Sequence, residues 1–269
     1  MKKFIVAVDL EGIACAYAPL GGSVEDSFNV DAVRKYATME ANAAATALFD
    51  CGAEEVIIWD NHGRGCSLKY EEMDERVLIA LGADNSVRYP DLDNVDGVLF
   101  IGYHAMAGAH NGAICHTFSS KKYQHVKIND KMVGEISIDA MIAGKNNVPV
   151  IFVSSDDIAM SEVEDAIPWA VRVETKKALG FTRVISKHPK KTSKEIYDGV
   201  CDAYGKLKNG EMKPYRVAEP VLLEVRYQRQ DAAQYSKCID INGKPFGYKD
   251  SYTREGLMAN VDDIPFNLC

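Results

Sequence analysis

Carboxylates and imidazoles cluster in three short segments of the first 104 residues. Asp9 and Glu11 lie in DLEG, His62 in DNH and His104 in GYH. Side chains alternate along an extended chain, so Asp9 and Glu11 point to the same side. Two adjacent carboxylates raise each other's pKa, and a divalent cation removes that penalty. Two imidazoles would complete a mixed nitrogen and oxygen ligand set that suits zinc and also accepts manganese or cobalt.

Two further residues are candidates for the same site. Glu135 follows Gly134 at the start of a predicted helix, where it is either a metal ligand or a favourable first-turn acid. His116 lies in the apolar segment AICHTF and is either a core histidine or an acid/base group. Four or more ligands with several carboxylates can hold two ions that activate a shared water. The DLEG, DNH and GYH segments contain no cysteine, which argues against a closed structural zinc site.

Each of the three segments follows a predicted buried strand. Apolar, β-branched runs predict strands at residues 4–8, 56–59 and 98–101. Ligands of open α/β sheets bind outside the carboxyl ends of the strands. We therefore expect the three segments at one edge of a sheet, with Asp60 as a third carboxylate if its side chain faces the site.

The wider pattern predicts a three-layer, mostly parallel α/β sheet. Apolar residues at helical spacing cover residues 31–51, and a small-residue helix covers 136–144. A further apolar strand covers 148–153, so strands alternate with helices. Between them, Asn129-Asp130 predicts the turn of a hairpin over residues 126–134.

The second half has a different character. The capping-box pattern at Thr192 to Glu195 predicts a helix that runs to about Leu207. A strand is expected at 221–227, and Asn242-Gly243 predicts a hairpin over 239–248. We therefore predict a metal-binding catalytic α/β domain over residues 1–175. Residues 176–269 would form a smaller α+β domain, packed on the first and involved in assembly.

Composition excludes several classes of protein. The 269 residues include 31 basic and 39 acidic ones, a net charge of −8, which argues against a nucleic-acid partner. No apolar run approaches the roughly 18 residues of a membrane span, so no membrane partner is expected. The apolar start stops at Asp9, short of the about 7–15 residues of a signal peptide. Seven scattered cysteines fit reduced thiols in the cytoplasm.

The order of these segments resembles the DppA-like zinc-dependent D-aminopeptidases. The opening family pattern S-x-D-x-E-G occurs here as residues 7–12, AVDLEG. The later family blocks resemble Asp60-Asn61-His62, Gly102-Tyr103-His104-Ala105, Cys115-His116-Thr117, and Ile128-Asn129-Asp130 leading to Val133-Gly134-Glu135. The likeness continues through residues 148–150, 156–157 and 220–227, so it spans nearly the whole chain. Any one block is unspecific, whereas the five in order are specific.

The resemblance implies a dinuclear zinc site with two ions per subunit. Its ligands would be Asp9, Glu11, His62, His104 and Glu135. It also implies that His116 is the catalytic side chain beside the ions. The implied activity is removal of the N-terminal residue from short peptides or amino-acid amides, containing D-amino acids, by a zinc-activated water. The implied assembly is a homo-oligomer, a decamer of stacked rings that enclose the active sites.

The chain departs from the family pattern at three places. Ala7 replaces the opening serine, and Asn61 stands where a serine is expected before His62. Residues 14–29, ACAYAPLGGSVEDSFN, are particular to this chain and are predicted to line the substrate pocket. These departures leave the metal ligands intact and bear on the D-alanyl preference.

The residues alone leave two other functions open. Carboxylates at strand ends also suit a two-metal phosphoester hydrolase. Against this, the chain has no GKS or GKT loop, and histidines favour a softer ion than magnesium. The other function is non-catalytic, a binding protein in which the ions only hold loops together.

Overall fold

The fold is known from a computed structural model that describes residues 2–83 and 87–268. Its strands are β1 Lys3–Val8, β2 Glu55–Asp60, β3 Leu78–Ala80, β4 Gly97–Ile101, β5 Tyr123–Ile128, β6 Lys131–Met132, β7 Val150–Asp156, β8 Val171–Ala178, β9 Val184–Ser186, β10 Val221–Tyr227, β11 Gly247–Tyr248 and β12 Thr253–Met258. Its α-helices are α1 Val30–Asp50, α2 Glu135–Lys145, α3 Asp157–Ala166, α4 Pro189–Lys208, α5 Gln230–Gln234 and α6 Asp263–Leu268. Across these two described stretches, none of the helices has both the length and the apolar surface to cross a bilayer.

The larger sheet has the strand order β3-β2-β1-β4-β7-β8-β9. All neighbouring strands are parallel except β9, which runs antiparallel to β8. Helices α1 and α4 cover one face, and α2, α3 and a second sheet cover the other. The predicted three-layer, mostly parallel α/β class is confirmed. The four strands and two helices predicted before residue 154 are present, with ends within three residues of those expected.

The second sheet is antiparallel, with the order β11-β12-β10-β5-β6. The predicted hairpin turn joins β5 to β6, and Asn129 and Asp130 have φ of 50° and 66°. Positive φ at both loop residues is typical of a type I′ turn, which Asn and Asp tolerate. The second sheet takes two strands from residues 123–132 and three from residues 221–258. The division into domains 1–175 and 176–269 stays a prediction.

The start of α4 differs from the expected capping box. The helix begins at Pro189, and the Nδ1 atom of His188 accepts a hydrogen bond from Lys190 N at 3.2 Å. Proline fixes a helical φ at the first position and has no N–H to satisfy, so the helix starts one turn earlier. Thr192 lies inside the helix, where its hydroxyl donates to Glu40 Oε1 at 2.6 Å. The Thr192 hydroxyl, which the sequence pattern predicted to cap the helix, is therefore bonded to the buried Glu40 on α1.

The strand order locates the crevice where a ligand can bind. From β1 the chain moves outward to β2 and β3, and then returns to β4 on the other side of β1. The two directions diverge between β1 and β4, and ligands of such sheets bind at the carboxyl ends of the diverging strands. The DLEG and GYH segments follow these two strands.

Candidate metal centre

The loops that follow β1 and β4 touch through their backbones. Asp9 N donates to Ile101 O at 2.8 Å, and Gly12 N donates to Gly102 O at 2.7 Å. A Cβ on Gly12 would lie 1.9 Å from Tyr103 O, and a Cβ on Gly102 would lie 2.4 Å from Asp9 O. Gly102 also has a φ of +71°, which side chains rarely adopt. Glycine at both positions allows the loops to bring their acidic and imidazole residues together.

The first group of potential ligands comes from the ends of β1 and β2. Ligand atoms of Asp9, Glu11 and His62 all lie within 4.8 Å of one another. His62 Nε2 is 3.3 Å from Glu11 Oε1. Asp9 and Glu11 are only 4% and 3% exposed, so water screens the charges of their carboxylates little.

The second group joins the GYH segment to the start of α2. His104, His116 and Glu135 also have ligand atoms within 4.8 Å of one another. His104 Nε2 is 3.3 Å from Glu135 Oε1 and 3.4 Å from Asp9 Oδ2, so His104 links the two groups. The rings of His104 and His116 stack with their centroids 4.0 Å apart. The structure thus brings together all six side chains that the sequence singled out.

The three imidazoles are held so that Nε2 faces the cluster. The Nδ1 contacts are Ser67 Oγ at 3.0 Å for His62, Ala105 O at 3.0 Å for His104 and Ile114 O at 2.8 Å for His116. A carbonyl can only accept, so His104 and His116 carry their proton on Nδ1 when neutral. This leaves a lone pair on Nε2, the tautomer that binds metal or accepts a proton.

Two buried atoms of the cluster lack hydrogen bonds. Within residues 2–83 and 87–268, neither Glu11 Oε2 nor His104 Nε2 has a hydrogen-bond partner. An unpaired buried polar atom costs about 1–3 kcal/mol, so such atoms usually have a partner of another kind. The donor set consists of carboxylates and imidazoles without a thiolate, which fits zinc, manganese or cobalt in an open site.

The electrostatics of the cluster favour added positive charge. Burial lowers the pKa of His62, but the carboxylates of Glu11 and Asp9 outweigh burial and raise this pKa to about 10. The pKa of His104 is likewise raised well above its usual range, because Glu135 and Asp9 outweigh its burial. Burial and the neighbouring Glu11 raise the pKa of Asp9 well above its usual range. A divalent cation would supply this positive charge in place of bound protons.

Asp60, at the end of β2, uses one carboxylate oxygen to hold its own loop, while its buried Oδ1 has no hydrogen-bond partner among residues 2–83 and 87–268. Its Oδ2 accepts hydrogen bonds from Ser67 N at 2.6 Å, Leu68 N at 2.9 Å and the Tyr70 hydroxyl at 2.9 Å. These bonds fold the loop that follows His62 back onto the strand. Asp60 therefore shapes the His62 loop.

A polar network behind Glu135 was not predicted from the sequence. Arg88 donates to both oxygens of Asp139, with Nε–Oδ1 at 2.8 Å and Nη2–Oδ2 at 2.9 Å. The Tyr103 hydroxyl also donates to Asp139, at 2.7 Å, and accepts from Asn61 Nδ2 at 2.7 Å. Arg88 Nη2 lies 3.7 Å from Glu135 Oε2. The network therefore ties the DNH and GYH segments to the first turn of α2.

Only one part of this network had a signal in the sequence. Asp139 lies four residues after Glu135, the spacing that puts two side chains on one helix face. Arg88 lies in a turn-rich stretch without periodicity, and its guanidinium carbon is 5.1 Å from the centroids of both Trp59 and Phe118. Contacts of this kind are set by tertiary packing.

A buried lysine on β8 holds the loop that follows β1. Lys176 Nζ donates to the carbonyl oxygen of Glu11, and also to Ile13 O and Ala16 O, each at 3.0 Å. The side chain is fully buried, and burial lowers its pKa to about 8. Three carbonyl acceptors satisfy the three donors of an ammonium. Lys176 thus fixes the backbone that carries Glu11, and the alternating pattern of β8 gave no sign of this role.

The cluster forms one wall of a cavity of about 800 Å³. Asp9, Glu11, His116 and Glu135 line it. Residues 14–29 were expected to line the pocket, and from this segment Ser23 and Glu25 do so. The volume lies within the roughly 300–1,000 Å³ of small-molecule sites and would accommodate a short peptide.

Comparisons with known proteins identify the family of the chain. The family model described as "D-aminopeptidase", peptidase family M55, matches residues 1–255. A D-aminopeptidase of Bacillus subtilis (strain 168) is 28% identical over 245 residues, which cover 88% of this chain and 85% of that protein. The solved structure of the Zn-dependent D-aminopeptidase DppA from Bacillus subtilis, a self-compartmentalizing protease, has a TM-score of 0.89 at 24% identity and covers 99% of this chain and 95% of its own. The chain belongs to the D-aminopeptidase family, peptidase family M55.

Proposed function

We propose that the chain removes the N-terminal residue of short peptides or amino-acid amides that contain D-amino acids. The observation that carries this proposal is the convergence of six acidic and imidazole side chains beside a cavity of about 800 Å³, which five of them line. The family description and the zinc-dependent relative support the hydrolytic chemistry and the choice of metal. The preference for a D-residue rests on the family description.

Two zinc ions per subunit would be held by the two groups of ligands. Asp9, Glu11 and His62 would hold one ion, and His104 and Glu135 would hold the other. The two groups adjoin each other, since His104 Nε2 lies 3.4 Å from Asp9 Oδ2. When bound, such ions supply Lewis-acid polarisation of the scissile carbonyl and a water of lowered pKa.

His116 is proposed as the catalytic side chain beside the ions. Its Nδ1 donates to Ile114 O at 2.8 Å, which leaves Nε2 free to accept a proton and to pass it to the leaving amine. Burial and the adjacent His104 lower the pKa of His116, so the imidazole is neutral near neutral pH. Its Nε2 is 4.0 Å from Glu135 Oε1, farther from that carboxylate than His104 is.

Assembly and location are proposed on separate grounds. The related structure is described as self-compartmentalizing, and we infer a homo-oligomer, a decamer of stacked rings, for this chain. Its mass in solution, measured by light scattering, tests this inference. Six cysteines within residues 2–268 are free, which supports a reducing compartment, the cytoplasm.

A paired substrate screen tests the proposed function. Zinc-reconstituted protein is assayed on D- and L-alanyl p-nitroanilide and on a panel of phosphomonoesters, with the zinc content of the same sample measured by elemental analysis. We expect hydrolysis of the D-substrate and two zinc ions per subunit, and Glu11→Ala should lower both. Hydrolysis of phosphomonoesters alone, or full zinc loading without any hydrolysis, would contradict the proposal and support one of the two other functions.

A further inference from the structure

The carboxylate of Glu25 lies in a short turn that overhangs the metal-site cavity. This turn is a 3-10 helix, Val24–Asp26, in the segment 14–29 that the sequence analysis predicted to line the pocket. Ser23 N donates to Asp26 Oδ2 at 2.8 Å, and Val24 is fully buried beneath the turn. The turn is therefore anchored on both sides of Glu25. Its side chain is 40% exposed and lines the cavity together with Asp9, Glu11 and His116.

The two oxygens of this carboxylate have different surroundings. Oε2 accepts a hydrogen bond from Arg34 Nη2 at 2.5 Å, which fixes the side chain. Oε1 lies 3.4 Å from His62 Nδ1, whose hydrogen-bond partner is Ser67 Oγ at 3.0 Å. Since Ser67 already holds this ring nitrogen, Oε1 keeps the capacity to accept a further hydrogen bond. Arg34 Nη1 also lies 3.6 Å from Asp31 Oδ1, so the charge of Arg34 is divided between Glu25 and Asp31.

The position of Oε1 matches the position of the free amine in an aminopeptidase substrate. His62 Nε2 faces Glu11 and the proposed ions, so Glu25 Oε1 is separated from them by the width of one imidazole ring. In a peptide substrate the α-nitrogen and the scissile carbonyl carbon are both bonded to the same Cα, so they lie about 2.5 Å apart. A carbonyl at the ions therefore brings its ammonium near the cavity wall that carries Glu25.

The charge of the proposed site also requires an acceptor for the ammonium. Two divalent ions exceed the charges of Asp9, Glu11 and Glu135 by one positive unit, and the imidazoles add none when they bind metal through a neutral ring. While the bound water keeps its proton, an ammonium would be repelled from this centre, and a nearby carboxylate reduces the repulsion. The carboxylates of Asp9, Glu11 and Glu135 each lie 3.3–3.4 Å from the Nε2 of a cluster imidazole, whereas Glu25 faces only the Nδ1 side of His62.

We propose that Glu25 Oε1 accepts a hydrogen bond from the free α-ammonium of the substrate and so selects N-terminal residues for hydrolysis. The proposal rests on the aminopeptidase function proposed above. A charge-assisted hydrogen bond of this kind is made at about 2.7–2.9 Å. Peptides with a blocked amine would lose it.

The test compares Glu25→Gln with the control Asp31→Asn, which also removes a partner of Arg34 but lies outside the cavity lining. Substrates are D-alanyl p-nitroanilide and propionyl p-nitroanilide, which lacks the amine. For Glu25→Gln we expect kcat/KM on the first substrate to fall about 10- to 100-fold, since hydrogen bonds to charged groups contribute this much. Turnover of the second substrate and the zinc content should be unchanged, and Asp31→Asn should match the wild type on both substrates.

Calorimetric binding gives a readout that needs no turnover. On the zinc-loaded protein, Glu25→Gln should weaken binding of D-alanine about tenfold or more and leave binding of D-lactate, which carries a hydroxyl in place of the ammonium, unchanged. Equal losses on both ligands or both substrates, or a fall in zinc content, would show that Glu25 acts through His62 and would overturn the proposal. Unchanged D-alanine binding and turnover would overturn it as well.

The outcomes separate this inference from the function on which it rests. A wild-type protein that hydrolyses no aminoacyl anilide contradicts the proposed function, and the D-alanine and D-lactate binding then decides the role of Glu25. An active wild type with an equally active Glu25→Gln variant contradicts only the role of Glu25.

Discussion

Removal of Arg88 should expose how strongly the network behind Glu135 stabilises the site. Arg88 donates to both oxygens of Asp139, and the Asp139 carboxylate is fully buried. Removing one partner of such a pair typically costs about 3–5 kcal/mol, because the other charge stays buried and unpaired. With an unfolding entropy of about 2.1 cal/mol/K per residue and 269 residues, this corresponds to a fall in Tm of roughly 5–9 °C.

Thermal unfolding of Arg88→Met, Asp139→Asn and the double variant measures this coupling. Asparagine keeps an acceptor for the Tyr103 hydroxyl, so the comparison isolates the ion pair. We expect Arg88→Met to lose about 5–9 °C and the double variant to lose clearly less than the sum of the two single losses. Additive losses, or an Arg88→Met variant within 1–2 °C of the wild type, would refute the reasoning that a buried pair holds this region.

Three further predictions concern catalysis, loop geometry and pH. His116→Ala should keep the zinc content and lower kcat about 10²–10⁴-fold; an unchanged kcat would remove His116 from the mechanism. Gly102→Ala should reduce zinc occupancy and Tm, since its Cβ would lie 2.4 Å from Asp9 O, and normal zinc titration would contradict this steric argument. Burial raises the pKa of Glu224, but side-chain hydrogen bonds from Lys249, His125 and Lys127 outweigh it and lower this pKa to about 2. The folded-state pKa is below the unfolded value of 4.5, so the stabilisation is present above pH 4.5 and is lost as the pH falls towards 2. Glu224→Gln should therefore lower Tm at pH 7 and have little effect at pH 2, and equal effects at both would contradict the assignment.

Local sequence patterns were sufficient to predict strands β1, β2, β4 and β7 and the edge at which the site lies. The ends of three strands could be located from the apolar runs that stop at DLEG, DNH and GYH, because a buried strand ends where polar residues begin. The carboxyl ends of parallel strands share one edge, so the meeting of Asp9 with His104 follows from the order of elements. The Asn129-Asp130 turn was equally predictable, since the preference for positive φ is local.

Tertiary structure alone decided what surrounds these ligands. Lys176 reaches the Glu11 loop across 165 residues of sequence, and Arg88 reaches Asp139 across 51. Thr192 fits a cap in sequence but instead donates to the buried Glu40, which is available only in the folded chain. A short-range sequence pattern predicts only the contacts that a residue makes with its neighbours in sequence. The partners of buried charges, and the turn that brings Glu25 over the cavity, depend on the packing of distant segments.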